Sequence, residues 1–283
     1  MSYKFYSQCG QDRLIYESFF KDKRNGFFVE IGAADGIELS NTYFFEKYLG
    51  WNGICVEPRK IAFDKLTINR SCHCENVCIS DANGEKNFVE FIGGTGALFS
   101  GIKDKYEKEH LEKIKDPKIV NFETKNEITL PSITFNQLCE KHNVKHIDYC
   151  SMDTEGGELD ILKSLDDAAT ISCLSIENNY QNKEIPNYMK SKGYILFKKL
   201  DFDEIYIHRD FGFKRYSSLL FFRTLMQLYR KYLPAKLRNC LKVRRILESI
   251  NYTKLTYRQL TEFETVDNPK DDKLLQADTM FLK

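Results

Sequence analysis

The chain reads as a doubly wound α/β domain: a mainly parallel sheet with an antiparallel last strand, followed by a helical C-terminal extension. Three observations predict this. Short, nearly continuous apolar runs recur along it, such as FFVEI at 27–31, ICVE at 54–57 and ISCLSIE at 171–177, the pattern of strands buried on both faces. Segments with helical spacing separate them, GGELDILKSL at 156–165 being the clearest. The first run breaks into a turn of small residues, Gly32-Ala33-Ala34-Asp35-Gly36, and then feeds a helix, which is how such sheets open a ligand crevice. A length of 283 residues with 42% hydrophobic and 13% aromatic content fits a full-sized core and excludes a disordered or fibrous chain.

Taken in order, residues 1–26 form a lead-in in which Leu14, Ile15, Phe19 and Phe20 share one helical face. Residues 27–209 form the main domain. Its first strand ends in the glycine turn, with Ser40 or Asn41 placed to cap the helix that follows. The second strand ends at Glu57 and is stopped by Pro58. Residues 60–69 are weakly helical, and ENVCISD at 75–81 reads as a third buried strand. NFVEFI at 87–92 alternates like a half-exposed strand, GGTGALFSGI at 93–102 is a loop, and the densely charged 103–118 is a solvated helix or lid. The segment 128–133 is extended, with Pro131 holding it at an edge, and Thr134 caps a helix running to His142. HIDYCSMD at 146–153 is a fourth buried strand and 171–177 a fifth. A helix at 185–192 leads to two final strands, 194–199 and 204–208, joined antiparallel through LDFD.

Ligands of such sheets bind outside the carboxyl ends of the strands. The residues there are Glu30 to Gly36, Glu57, Ser80 and Asp81, Asp153 to Glu155, and Glu177 with Asn178. Nearly all are acids or amides. The glycine turn follows E-x-G-x-x-x-G, not the G-x-G-x-x-G of dinucleotide binders, and no triphosphate-binding loop is present. An acid beside the glycines repels a pyrophosphate but suits a cationic ligand such as S-adenosylmethionine. Glu57 is spaced from the turn as a ribose-binding carboxylate is. A plain βα turn remains the alternative on the spacing alone.

GFFVEIGAADGIELSNT, WNGICVEP, ENVCISD and IDYCSMDTEGGELDIL, in that order, resemble the FkbM-type S-adenosylmethionine-dependent methyltransferases, and YSQCGQD resembles the lead-in of one branch. The resemblance spans residues 6–208. It implies a Rossmann-like fold and O-methylation of a sugar or another hydroxyl-bearing metabolite. It also implies that Glu30, Gly32, Ala33, Asp35, Gly36 and Asn41 hold the methionine end of the cofactor, that Glu57 holds the ribose, and that Ser80 and Asp81 lie near the adenine. A lysine that many members carry two residues before the first acid of D-x-E-G is Ser151 here, so its role does not transfer.

An alcohol is too weak an acid to ionise unaided, so its methylation needs a base or a metal ion. Asp153 and Glu155 stand where the acceptor arrives, and His110 in the charged lid is a further candidate base. Asp153, Glu177 and Asn178 offer oxygen ligands for Mg²⁺ or another divalent ion, or the base itself. C-x-C-x-x-x-C around His73 lacks paired zinc spacing, and Gln11 and Asp12 are polar candidates to close over the cofactor.

Nine cysteines in no regular framework, with no secretory signal at the N-terminus, predict reduced thiols and a cytoplasmic location. Net charge is +1, but the extension at 210–283 is asymmetric. Its stretch 211–247 holds ten Lys or Arg and no acid, leaving 32 basic against 41 acidic residues elsewhere. Apolar residues there, from Leu219 to Leu233, suit an interfacial helix on an anionic membrane surface or a face packed on the domain or a partner. Aromatics cluster with aliphatics there, not with the basic residues, which argues against nucleic acid. The other reading the sequence carries is a methyltransferase fold used as an interaction module without turnover.

Overall fold

The structure, a computed structural model, describes residues 3–21, 23–165 and 169–211. The predicted extension lies outside the described residues from 212 onward, and with it nearly all of the basic stretch. The chain enters through α1 (Gln11–Ile15), which widens into one π-helical turn over Tyr16–Phe20, so the lead-in is two short pieces and not one regular helix. Then follow β1 (Phe27–Ile31), α2 (Tyr43–Leu49), β2 (Asn52–Val56), α3 (Lys60–Asn69), β3 (His73–Glu75), β4 (Cys78–Ser80), β5 (Gly84–Ile92), β6 (Gly101–Ile102), α4 (Lys108–Lys115) and β7 (Thr124–Thr134). The second half holds α5 (Phe135–Lys141), β8 (His146–Met152), α6 (Glu158–Ser164), β9 (Thr170–Glu177), α7 (Glu184–Ser191), β10 (Tyr194–Leu200) and β11 (Asp203–His208).

Seven strands form the main sheet in the order β10-β11-β9-β8-β1-β2-β3. All its pairings are parallel except those of β11, which runs antiparallel to both β9 and β10. This is the predicted fold class. Phe28–Ile31 of β1, Gly53–Val56 of β2 and the last six residues of β8 are all buried, so both faces of the sheet are covered. Alternation then sorts the side chains. Val29, Ile31, Cys150 and Met152 pack with Phe135, Leu138, Ile161 and Leu162 on one side. On the other, Tyr149 meets Phe45 at 5.5 Å between ring centroids, and Phe45 and Phe20 meet Trp51 at 4.7 and 5.0 Å. Full burial of each such ring or aliphatic chain contributes about 1.5–3 kcal/mol.

A second sheet, in the order β4-β7-β5-β6, was not predicted. The single strand expected at 75–81 is broken by Asn76, whose Nδ2 donates to the carbonyls of Glu57 and Pro58 and turns the chain out of the main sheet. β4 then pairs with β7. Pro131 accordingly lies inside this sheet and not at an edge. It faces Glu85 of β5, and β4 reaches only Ser132–Thr134, so no partner demands the missing N–H. One cap follows prediction, Thr134 Oγ1 accepting from Gln137 N at 3.2 Å, whereas the residue that caps α2 is Thr42 and not Ser40 or Asn41, although Ser40 Oγ does accept from Tyr43 N at 3.0 Å.

Candidate active site at the carboxyl ends of the strands

The glycine turn is set by strand-to-strand contact. Gly32 has φ +82°, and a Cβ built there would stand 2.0 Å from the Asp153 carbonyl oxygen at the end of β8. Gly32 and Ala33 both donate backbone N–H groups to Val56 O at 3.0 Å. The turn therefore draws the ends of β1, β2 and β8 together, and Gly32 itself stays open to solvent. Asp35 Oδ1 accepts the amides of Ile37 and Glu38 at 2.9 Å and closes the turn.

Two of the predicted cofactor acids prove to be occupied. Glu30, 3% exposed, accepts from Ser40 Oγ, Asn41 N and Thr42 Oγ1 at 2.7–3.1 Å, and pairs with Arg70 Nη1 at 3.2 Å. Arg70 is fully buried in its side chain and also pairs with Glu46 at 2.6 Å and with the Gly36 carbonyl. Glu30 is thus the brace that fixes the turn to the start of α2. Glu57, 2% exposed, accepts from Ala34 N at 2.9 Å and from Arg59 Nε at 2.8 Å. Arg59 continues to Ala97 O in the second sheet's connecting turn. Arg59 thus covers the carboxylate that the sequence reading assigns to the ribose. Sequence reasoning missed both arginines, since neither sits in a motif and only the packing shows that Arg70 is buried and Arg59 half-buried.

Asn41 is buried against the end of β8. Its Nδ2 donates to Ser151 Oγ at 2.9 Å, while its buried Oδ1 has no partner. Gly36 is buried beneath Leu66 and Arg70. Ser80 and Asp81 end β4, in the second sheet. Ser80 Oγ donates to Asp81 Oδ1, and Lys86 and Lys105 hold the Asp81 carboxyl well below its usual range, after Ser80 itself. Gln11 is tied to Asp203, and Asp12 accepts from Tyr6 N and Ser7 Oγ. Both hold the lead-in in place and neither is free to face a ligand.

The chemistry collects at Asp153, Glu155 and Glu177, whose carboxylate oxygens lie within 4.8 Å of one another. It is the only such group of His, Cys, Asp or Glu among the described residues. Burial pushes the Asp153 carboxyl up to about 7, against the lowering effect of its hydrogen bond with Glu177. Burial, then the charges of its acidic neighbours, hold Glu155 and Glu177 well above the usual carboxylate range. Asn178 does not join them. Its Oδ1 accepts from Asn182 N at 2.7 Å and its Nδ2 donates to Asn182 O, which closes the loop after β9. Glu155 takes the place predicted for it.

His110 is no surface histidine. It is fully buried, stacked on Tyr106 with ring centroids 4.4 Å apart, and its Nδ1 lies 3.4 Å from Glu155 Oε2. Beside the acids is a cavity of about 40 Å³ lined by Glu107, Glu158, Glu177, Asn178, Asn179 and Tyr180, with no Lys or Arg among its lining residues. All the described cysteines are free thiols. No helix among the described residues is long and apolar enough to cross a membrane.

Comparison with known proteins places this geometry. Solved structures similar to the chain include a TehB-like SAM-dependent methyltransferase from Corynebacterium glutamicum ATCC 13032 Kitasato, at 10% identity over 72% of this chain and 89% of that one, with a TM-score of 0.37. They include M. capricolum TrmK in complex with S-adenosyl-homocysteine, at 11% identity over 85% and 94% of the two chains, TM-score 0.35. The N-terminal domain of human METTL16 aligns at 11% identity over 70% and 67%, TM-score 0.36. Likenesses this distant carry no weight for function. No curated protein matches the chain. The sequence profile described as the methyltransferase FkbM domain, however, matches residues 30–196, from the acid of the glycine turn through β8 and β9 into β10. By that match, over more than half of its length, the chain belongs to the FkbM methyltransferase domain family.

Proposed function

We propose that the protein is an S-adenosylmethionine-dependent O-methyltransferase acting on a hydroxyl of a carbohydrate or similar metabolite in the cytoplasm. The observation that carries this is the convergence of the Asp153, Glu155 and Glu177 carboxyls, within 4.8 Å of one another beside the glycine turn, among which burial holds Asp153 up to about 7. A carboxyl poised near neutral pH is what removal of a hydroxyl proton requires. An amine acceptor, which sheds its proton more readily, would not need it.

The residues present fit the methyl donor. The strand ends carry the buried carboxyl of Glu177 and the half-buried ones of Asp153 and Glu155, with no Lys or Arg within ion-pair distance of the three among the described residues, which favours a cationic ligand. Asn41 Oδ1 is a buried acceptor without a donor, and Gly32 leaves the crevice open beside it. Asn41 and the backbone at 32–36 would hold the methionine end, and Glu57 the ribose. The cofactor supplies a methyl carbon already activated by its sulfonium. The chain's part is to align the acceptor oxygen and take its proton at the Asp153–Glu177 pair.

The test is transfer of labelled methyl from S-adenosylmethionine to a panel of free sugars, glycosides and lipid-linked sugars, with Asp153→Asn as control. Label in an ether that disappears with the variant supports the reading. Label found only on nitrogen, or none on any acceptor, overturns it.

A further inference from the structure

We propose that Arg59 is a positioning residue that couples the two halves of the site: it latches the turn Thr95–Phe99 to Glu57, and the ribose of the methyl donor, by taking Glu57, releases that turn from the loop that carries Glu155. This rests on the methyltransferase reading, in which Glu57 takes the ribose, and adds to it an order of binding, donor first and acceptor second.

The Glu57 carboxylate is short of lone pairs. An ionised carboxyl offers about four acceptor sites. Oε2 of Glu57 accepts from Ala34 N at 2.9 Å, and Oε1 accepts from Arg59 N at 2.9 Å and from Arg59 Nε at 2.8 Å, with Arg59 Nη2 3.4 Å from Oε2. The two amides belong to the glycine turn and to the chain just past β2, so the backbone fixes them. Only the guanidinium contacts can be withdrawn by turning a side chain. Ribose hydroxyls and the Arg59 fork therefore compete for the same oxygens, on a carboxylate that is 2% exposed.

What Arg59 holds at its other end is the second sheet. Its Nη1 donates to Ala97 O at 2.7 Å, in the turn between β5 and β6. Among the described residues Arg59 is this turn's only hydrogen-bond partner from the main-sheet side; the others, Ile119, Asn121, Tyr106 and His110, lie in the second sheet's own connections. The turn is entered through Gly94 at φ +57° and ψ −154°, a conformation nearly reserved for glycine and suited to absorb a hinge movement. Leu98 near its tip stays 48% exposed, so no apolar packing holds it down. Its far end rests on the acceptor side. Phe99 O accepts from Tyr106 Oη at 2.8 Å and lies 3.5 Å from His110 Nε2, and a Cβ at Gly101 would stand 3.5 Å from Glu155 Cβ. A guanidinium that leaves Glu57 either carries the turn with it or lets it go. In both cases the turn is no longer fixed to the cofactor side.

The full-length protein is titrated with S-adenosylhomocysteine by calorimetry, and amide hydrogen exchange over residues 95–101 is followed with and without it. Nucleoside binding should speed exchange across the turn at least ~5-fold, the lower end of ordinary coupling between sites. Arg59→Met removes the competitor and should bind the nucleoside at least ~5-fold more tightly, with the turn already exchanging at the faster rate and unchanged by the nucleoside. Arg59→Lys leaves a cation beside Glu57 but not the fork that also reaches Ala97 O. It is the substitute if Arg59→Met does not fold, and should move both readouts in the same direction. An arginine that only props the fold would change stability and neither readout. Weaker nucleoside binding by Arg59→Met, or a turn whose exchange ignores the nucleoside, overturns the latch and leaves the methyltransferase reading standing. No nucleoside binding by the unaltered protein removes both.

Discussion

Replacing Gly32 by alanine is the sharpest structural test of the site, because the molecule contains its own control. Gly32 and Gly10 share φ +82°, but a Cβ at Gly10 has nothing within 4 Å, whereas at Gly32 it would lie 2.0 Å from the Asp153 carbonyl oxygen. Gly10→Ala therefore reads the conformational cost alone, about 1–2 kcal/mol. At Gly32 the carbonyl cannot move aside freely, since Asp153 N donates to Ile31 O at 3.2 Å and β1 is paired with β8 along four register positions. Relieving the overlap must part the two strand ends, an overpacking penalty of about 1–3 kcal/mol. The sum for Gly32→Ala is about 2–5 kcal/mol, a large part of the stability of an ordinary domain. Urea unfolding of the three proteins measures it. Because the displacement falls on Asp153, the folded fraction should also lose methyl transfer. Equal destabilisation by Gly10→Ala and Gly32→Ala would refute the claim that the glycine exists for the approach of β8.

Three further outcomes follow from the same geometry. Arg70→Met leaves Glu30 and Glu46 without their buried cation and should destabilise by about 3–5 kcal/mol in urea unfolding, with part of the loss recovered by adding Glu30→Gln; a loss below about 1 kcal/mol would contradict the brace assigned to this pair. Asp153→Asn should lower turnover ~100-fold or more while leaving S-adenosylhomocysteine affinity unchanged, and an equal loss in both would move Asp153 from the acceptor to the cofactor. In metal-free protein, Asp153 held up to about 7 and Asp203 up to about 6 bind protons that the unfolded chain has already released. Stability should therefore fall as pH rises from about 4 through about 7. Glu155 and Glu177 act in the same direction, and His110, lowered by burial, acts against them. Denaturant midpoints at pH 5 and pH 8 check the sign, and a higher midpoint at pH 8 would contradict it.

The main sheet was legible because a buried parallel strand writes itself as a short apolar run, and six of the seven strands are of that kind or form the closing hairpin. The order of acids along the chain likewise marked where the strands end. Less legible was the second sheet. NFVEFI and the segment around Pro131 alternate in polarity, so each reads as a strand, but nothing local says that they pair with each other and not with the main sheet. The same limit applies inside the site. Glu30, Glu57, Asp153 and Glu177 all read as strand-end carboxylates, yet Glu30 faces Arg70 and Glu57 faces Arg59, while Asp153 and Glu177 face each other. Partners contributed by distant segments decide which acid is structural and which is free for chemistry. His110 is the clearest case, since a charged helix gave no sign that its one histidine turns inwards beneath Phe99 and Tyr106.

The central claim is that these strand ends bind S-adenosylmethionine with Glu57 on its ribose. Calorimetric titration of the protein with S-adenosylhomocysteine, beside Glu57→Gln, tests it directly. The account predicts one nucleoside bound per chain and at least ~10-fold weaker binding by the variant, which loses hydrogen bonds to a charged acceptor. No binding, or binding of equal strength by both proteins, would contradict it.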